Sequence, residues 1–270
     1  MYEYGTDTID WEEFKKNGVP DVLYKYRTLT NEFERKALFD QELWLAHPKT
    51  FEDKLDCKNP VRYDLLTKEQ IYQKYLHECK NENPSFTRQQ KRKWARDWTK
   101  NSPLYKEGYI EGFQENFFND FSDRLGVLSL TANSENEKMW FKYADNNQGI
   151  CIGYDSKVLF TKVGGGGKVQ YYDELPILLP TPFNSLDEHR VNQVYAKEIK
   201  WQFEEEYRCQ RFSMTKLPLT DEERRIRLPK EAILEVIIGD KVSVDQFNEV
   251  EDYCKKNLPH CEVKRKPINR

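Results

Sequence analysis

Histidine is scarce in this chain: four residues in 270, scattered at positions 47, 77, 189 and 260. The six cysteines, at 57, 79, 151, 209, 254 and 261, form no C-x-x-C pair. Ligands so dispersed carry no zinc-site spacing, and reduced, mostly buried thiols are the expectation. No histidine stands near a cysteine in a catalytic pattern, so a thiol nucleophile is unsupported. Long apolar runs are also missing, and no segment approaches the length of a membrane span. The opening MYEYGTDTIDWEEF is acidic and lacks the basic and apolar regions of a signal peptide, so a cytoplasmic protein is expected. Charge of one sign is not in excess. A net charge of −3 gives no global drive towards nucleic acid or anionic membrane, leaving only local patches to act. The four glycines at 164–167 have no following Lys-Ser/Thr, which argues against a P-loop and predicts a flexible loop or hairpin tip. There is no internal repeat.

What the chain does have is rings: 16 Tyr, 15 Phe and 6 Trp. They supply a core through aromatic bulk where aliphatic content is modest. The length suits one α+β domain over 22–270 with a helical insert at about 60–120, after a lead-in over 1–21 anchored by Trp11 and Phe14. Strands are predicted at 22–27, 42–46, 126–131, 150–155, 169–172, 224–228, 232–239 and 261–266. Helices are predicted over 31–40 and 187–197. Thr67 and Gln70 form a capping box ahead of an amphipathic helix, and Ser134 and Glu137 a second one ahead of Met139, Trp140, Tyr143 and Ala144. Ser243 and Gln246 cap a helix carrying Phe247, Val250 and Cys254. The loop residues Asp53 and Asp56 read as turn formers.

Within the insert, residues 88–100 are basic: Arg88, Lys91, Arg92, Lys93, Arg96 and Lys100, with Trp94 and Trp98 one turn apart. Such a helix can contact phosphates. The commoner reading is a solvated face whose tryptophans pack inward.

The chain is organised around residues 200–212, KWQFEEEYRCQRF. Read as one strand, Glu204, Glu206, Arg208 and Gln210 share a face, and Phe203, Glu205, Tyr207 and Cys209 share the other. Two carboxylates and a guanidinium along one sheet face are costly in a core without partners and make sense lining a cleft. A solvated edge strand or a charged helical face is the plain alternative. Lys25 and Arg27 are expected either to bind a ligand or to pair with Glu204 and Glu206 across neighbouring strands. By helix-face statistics Trp140 and Tyr143 are core residues first.

Several stretches together resemble one family: LYKYR at 23–27, F-x-D-x-x-D at 51–56, LSL at 128–130, MWFKYADNNQGICIGYD at 139–155, WQFEEEYR at 201–208 and EVIIGDKVS at 235–243. In this order they resemble the bacterial domain-of-unknown-function family 2971, over most of 22–265 and least in the helical block. One departure is that Phe51-Glu52-Asp53-Lys54 stands where the family pattern reads Phe-Asn-Asp-Pro. The family name carries no activity. A more distant similarity is to ADP-ribosyltransferases, which order a basic first strand, a Ser/Thr strand and a late Glu-x-Glu strand in the same way.

That resemblance implies split antiparallel sheets and NAD as substrate, with no metal. It gives Lys25 or Arg27 the dinucleotide, and Ser129 and Thr131 the nicotinamide side of the pocket. Glu206 takes the nicotinamide ribose, with Glu204 as the accessory carboxylate. Arg208, Trp140 and Tyr143 are the remaining candidates for ligand contact, the aromatics by stacking on nicotinamide. Lysine is a departure at the first position, because a point charge cannot make the guanidinium's bidentate phosphate fork, whereas Arg27 can. The activity implied is modification of a macromolecule, or hydrolysis of NAD, in the manner of a bacterial toxin or phage-defence effector. Two rival readings stay open. One is a non-enzymatic nucleotide or nucleic-acid binding module acting through the helix at 88–100. The other, weaker, is a metal-dependent nuclease or glycosidase using Glu204, Glu206 and Asp53.

Overall fold

A computed structural model describes residues 11–16, 18–215 and 217–267. The side chains of Trp11 and Phe14 lie outside what is described. In chain order the elements begin with α1 (Trp11–Lys16), β1 (Val22–Arg27), α2 (Glu32–Phe39) and β2 (Glu42–Trp44). Three helices follow, α3 (Lys68–Glu82), α4 (Arg88–Lys100) and α5 (Tyr109–Arg124). Next come β3 (Leu125–Thr131), α6 (Glu137–Tyr143), β4 (Ile150–Asp155), α7 (Ser156–Val163), β5 (Gly166–Lys168) and β6 (Gln170–Tyr172). Then follow α8 (Leu186–Val194), β7 (Ala196–Glu198), β8 (Glu206–Phe212), α9 (Asp221–Arg224) and β9 (Arg225–Arg227). The described chain closes with β10 (Ile233–Ile238), α10 (Val244–Asn257) and β11 (Glu262–Arg265). The fold is α+β.

The residues gather into two compact units. One comprises the described residues within 11–50, 123–171 and 199–267; the other comprises 51–122 and 172–198.

The first unit is built on a seven-stranded sheet in the order β11-β10-β4-β1-β3-β8-β5. Only β10 and β11 run parallel; the other neighbours are antiparallel. One face carries Leu23, Leu128, Leu130, Ile150, Ile152, Tyr207 and Cys209, covered by Ala37 and Leu38 of α2, Leu159 and Phe160 of α7, and Val250 of α10. The opposite face carries Tyr26 and Cys151 under Met139 and Trp140 of α6. The Trp140 ring meets Tyr26 edge-on at 5.2 Å. The alternation of β1 thus sends its residues into two apolar layers, which is why the strand reads as apolar-aromatic without a clean polar face.

The middle of the sheet is its weakest join. β1 pairs with β4 through six registered residues, and β3 with β8 through seven. Between β1 and β3 there is one bridge, Tyr24 to Thr131. The two halves of the sheet are therefore joined by a single registered pair.

Several local expectations need correction. Asn136, not Ser134, caps α6, accepting from the amides of Lys138 and Met139. Ser134 instead offers its carbonyl to the Trp140 indole. The glycine run is not a free loop. Gly164 ends α7 in the left-handed region at φ 103°, where a side chain is disfavoured. Gly166 opens the edge strand β5, and a Cβ there would lie 2.3 Å from the Arg208 carbonyl oxygen. Helix α7, which the sequence analysis did not anticipate, is capped by Asp155. The helix expected over 187–197 stops at Val194, and Ala196–Glu198 is extended.

The second unit is helical in its main body. Thr67 and Thr87 each make a full capping box, opening α3 and α4. The two helices pack through Ile71, Tyr75 and Ala95, with Trp94 and Trp98 ringed around Tyr75. Trp94 packs inward as expected, whereas Trp98 touches Tyr75 but stays 43% exposed, and the basic arc of α4 lies outside. Asp56 is more than a turn residue: it is buried and lies 3.4 Å from the buried Lys197 ammonium. Asp53 does form a turn, accepting from the amide of Leu55.

Candidate functional site

The segment expected to run as one strand over 200–212 breaks in the middle. Residues Ile199–Glu204 wind as a 3₁₀ segment, and β8 starts at Glu206. Between them Glu205 takes φ 45°, a left-handed value rare for a non-glycine residue. The 3₁₀ segment and this residue interrupt the extended run, so Glu204 does not follow the alternation that places Glu206, Arg208 and Gln210 on one face. Glu204 is nevertheless brought close, because the 3₁₀ segment is fixed to α6. Tyr143 donates its hydroxyl to Glu204 Oε1 at 2.6 Å, and the Asn136 amide bonds the Phe203 carbonyl. Lys142 lies over the Trp201 ring at 4.1 Å. Tyr143→Phe removes the hydroxyl that holds Glu204. It is expected to lower stability by about 1.5 kcal/mol, the usual worth of a hydrogen bond to a charged group, read from the urea midpoint at unchanged slope.

Glu206 and Arg208 form a buried pair along β8. Arg208 Nε lies 2.7 Å from Glu206 Oε1, and its Nη2 lies 2.9 Å from Oε2, a two-point fork. Arg208 is fully buried and Glu206 is 2% exposed. The expected pairing of Lys25 and Arg27 with the glutamates across neighbouring strands does not form, because β3 lies between β1 and β8. The registered partners are Thr131 with Glu206 and Ser129 with Arg208. Since residues paired across antiparallel strands share a face, Ser129, Thr131, Glu206 and Arg208 form one patch. Tyr171, not singled out from the sequence, accepts from the Glu206 amide at 2.9 Å.

Lys25 and Arg27 have the opposite parity, that of Leu23 and the larger core. Lys25 reaches from β1 to β3, donating to the Ser129 carbonyl at 2.5 Å. Its charge is felt by Glu206 and Glu204. Burial, then the neighbouring Arg27 charge, lower the Lys25 ammonium to about 7, against the pull of those carboxylates. Arg27 is likewise pushed down by burial and drawn by Glu34. Its Nε is buried with no hydrogen-bond partner, and among the described residues neither Lys25 nor Arg27 makes an ion pair. Two neighbouring part-buried cations that make no ion pair among the described residues weigh against the stability of the fold.

The remaining candidates divide. Trp140 is fully buried against Tyr26, so it is a packing residue and has no free face for stacking. Tyr143 is part-exposed and acts through Glu204. Thr131 is buried, its hydroxyl accepting from the Asn133 amide. Ser129 contributes its carbonyl to Lys25. Asp53 belongs to the second unit, whereas Glu204 and Glu206 belong to the first. Among the described residues no three His, Cys, Asp or Glu side chains gather as a metal would need. Burial raises the Cys151 and Cys209 thiols, which leaves them unreactive.

No family model, curated protein or solved structure matches the chain.

Proposed function

We propose that the chain is an ADP-ribosyltransferase-like enzyme that uses NAD beside the single bridge between β1 and β3. The reading rests on one observation above the others: Lys25 and Arg27 are part-buried cations that make no ion pair among the described residues, beside a serine strand and two glutamates. A pyrophosphate would supply the missing negative charge, with Arg27 making the fork and Lys25 a point contact. The similarity to ADP-ribosyltransferases in the order basic strand, Ser/Thr strand, Glu-x-Glu strand points the same way, as does the single bridge at mid-sheet.

The chemistry follows from the groups. The bond from the ribose anomeric carbon to the nicotinamide nitrogen breaks, and its electron pair leaves with neutral nicotinamide. Positive charge builds on the ribose, and a fixed carboxylate stabilises it in a water-poor site. A nucleophile on a macromolecule, or water, then bonds to the anomeric carbon and releases its proton. In this scheme Glu206 faces the ribose and Glu204, oriented by Tyr143, takes the proton. For Glu206 to act, its fork with Arg208 must share or yield an oxygen to the ligand.

A second reading, nucleotide binding without turnover, is favoured by that fork itself, since Glu206 is buried and fully engaged by Arg208. Nicotinamide release from NAD separates the two. The transferase reading expects release by the wild type and none by Glu206→Gln, with Arg27→Gln weakening NAD binding in calorimetry. Binding without release would leave the second reading standing. Neither release nor binding would overturn both.

A further inference from the structure

We propose that α4 is a docking ridge for nucleic acid, engaging the phosphate backbone through Arg88, Arg92, Arg96, Lys93 and Lys100. The inference concerns the second unit and stands apart from the NAD reading.

At about 100° per residue, these five cations lie within an arc of about 140° on the helix. Gln89 and Thr99, both uncharged, are the other residues in the arc. Asp97, the one acid of α4, falls beyond its edge. All five cations are exposed. None makes an ion pair among the described residues. This is unusual for a chain that is net acidic overall. Solvated charged faces usually alternate sign and form pairs one turn apart, as Lys255 does with Glu251 on α10. On α4 the like charges Arg88, Arg92 and Arg96 stand one turn apart, an arrangement that destabilises a helix by itself.

Residues of α4 outside the arc fix the ridge in place. Ala95 is fully buried, and Trp94 and Trp98 pack with Tyr75 of α3, whose hydroxyl bonds Ser102 at 2.7 Å. Capping by Thr87 fixes the start of the helix. The cations are thus carried on a rigid element at one-turn intervals over roughly 18 Å, from the rise per residue. Repeated negative charges at regular spacing are what a nucleic-acid strand presents. Guanidinium forks match phosphates better than ammonium groups do. An anionic membrane fits less well, because the arc holds no apolar side chain to enter the interface; exposed Trp98 lies on the other flank.

The test is binding of short DNA and RNA duplexes and single strands to the full chain by fluorescence anisotropy, at a series of salt concentrations. About four phosphate contacts give a slope of log affinity on log salt near −3.6 for duplex and near −2.8 for single strands. Replacing three arginines together (Arg88→Gln, Arg92→Gln, Arg96→Gln) is expected to weaken binding by roughly tenfold or more and to make the slope shallower by between 2 and 3, about 1 per lost contact. The control triple Lys157→Gln, Lys230→Gln, Lys256→Gln removes the same charge from exposed sites elsewhere and is expected to change affinity little. Circular dichroism checks that both triples stay folded. Equal losses in the two triples, no binding by the wild type at low salt, or equally tight binding to phosphatidylserine vesicles or polyglutamate would each overturn the proposal.

Discussion

Arg208→Leu is expected to destabilise the protein by about 4 kcal/mol, because it weakens the compensation of a buried carboxylate. Glu206 is 2% exposed and its two oxygens are held by the guanidinium at 2.7 and 2.9 Å. Removing the guanidinium takes from a buried carboxylate the two-point fork that offsets its loss of water. The cost is dominated by the poorer compensation of that buried charge, not by the intrinsic worth of the pair. The double replacement Glu206→Leu, Arg208→Leu is therefore expected to recover most of the loss, since apolar groups of similar size often replace a buried pair at little cost. Urea unfolding of the two singles and the double closes the cycle. A double variant no more stable than Arg208→Leu would mean that the pair is not the source of the cost. Glu206→Gln separates structure from chemistry, because it keeps the shape and part of the hydrogen bonding. If it folds normally and releases no nicotinamide, the carboxylate is needed for turnover beyond its part in the fold.

Local signals carried most of the first unit's elements. The strand at 22–27 is found at those bounds, and the helix expected over 31–40 is Glu32–Phe39 with Asn31 and Asp40 as its caps. These are cases where a periodic apolar pattern and a capping residue agree. Helix α7 escaped because only Asp155, Ser156 and Lys157 separate the apolar residues of β4 from its own, and short apolar runs do not declare their period. The Ser134–Glu137 box was a plausible signal that lost to a neighbour. Asn136 accepts two amides and ties α6 to the 3₁₀ segment at Phe203, a tertiary bond that no local pattern reveals.

The site was legible in its residue types and not in its partnerships. Glu206 and Arg208 do share a face as alternation requires. Which cation meets Glu206 depends on strand order, and with β3 between β1 and β8 the answer is the same-strand Arg208. Glu204 was placed on that face by extending alternation through Glu205, whose φ of 45° breaks it. A left-handed glutamate has no sequence signature, because glycine and asparagine are the residues that announce that region. The clustering of Lys25 near Ser129 and the two glutamates, by contrast, depends on a sheet with one bridge at its centre. That feature belongs to topology and is invisible to periodicity.

Lys25→Met is expected to make the protein more stable at neutral pH while it impairs NAD binding. In the folded chain burial and Arg27 hold the Lys25 ammonium at about 7, whereas in the unfolded chain it keeps the ordinary value near 10.5. Below about pH 7 both states are protonated, and the folded state bears the full penalty of a desolvated cation. Between about 7 and 10.5 the unfolded chain holds a proton that the folded chain has released, so stability rises with pH across that window. Above it the penalty is gone. Lys25 keeps some exposure, and its bond to the Ser129 carbonyl offsets about 1 kcal/mol, so a net gain of about 2 kcal/mol is expected for methionine at pH 7. The gap between variant and wild type should close as the pH approaches 10. Lys25→Arg, always charged, should be less stable than methionine throughout and show no such closing. A methionine variant that is no more stable than wild type, or a gap that does not narrow with pH, would refute the assignment of Lys25 as a part-buried cation that makes no ion pair among the described residues. If the gain in stability comes with a loss of NAD affinity, the cost of burying Lys25 is one the fold bears for its ligand, as expected where function and stability conflict.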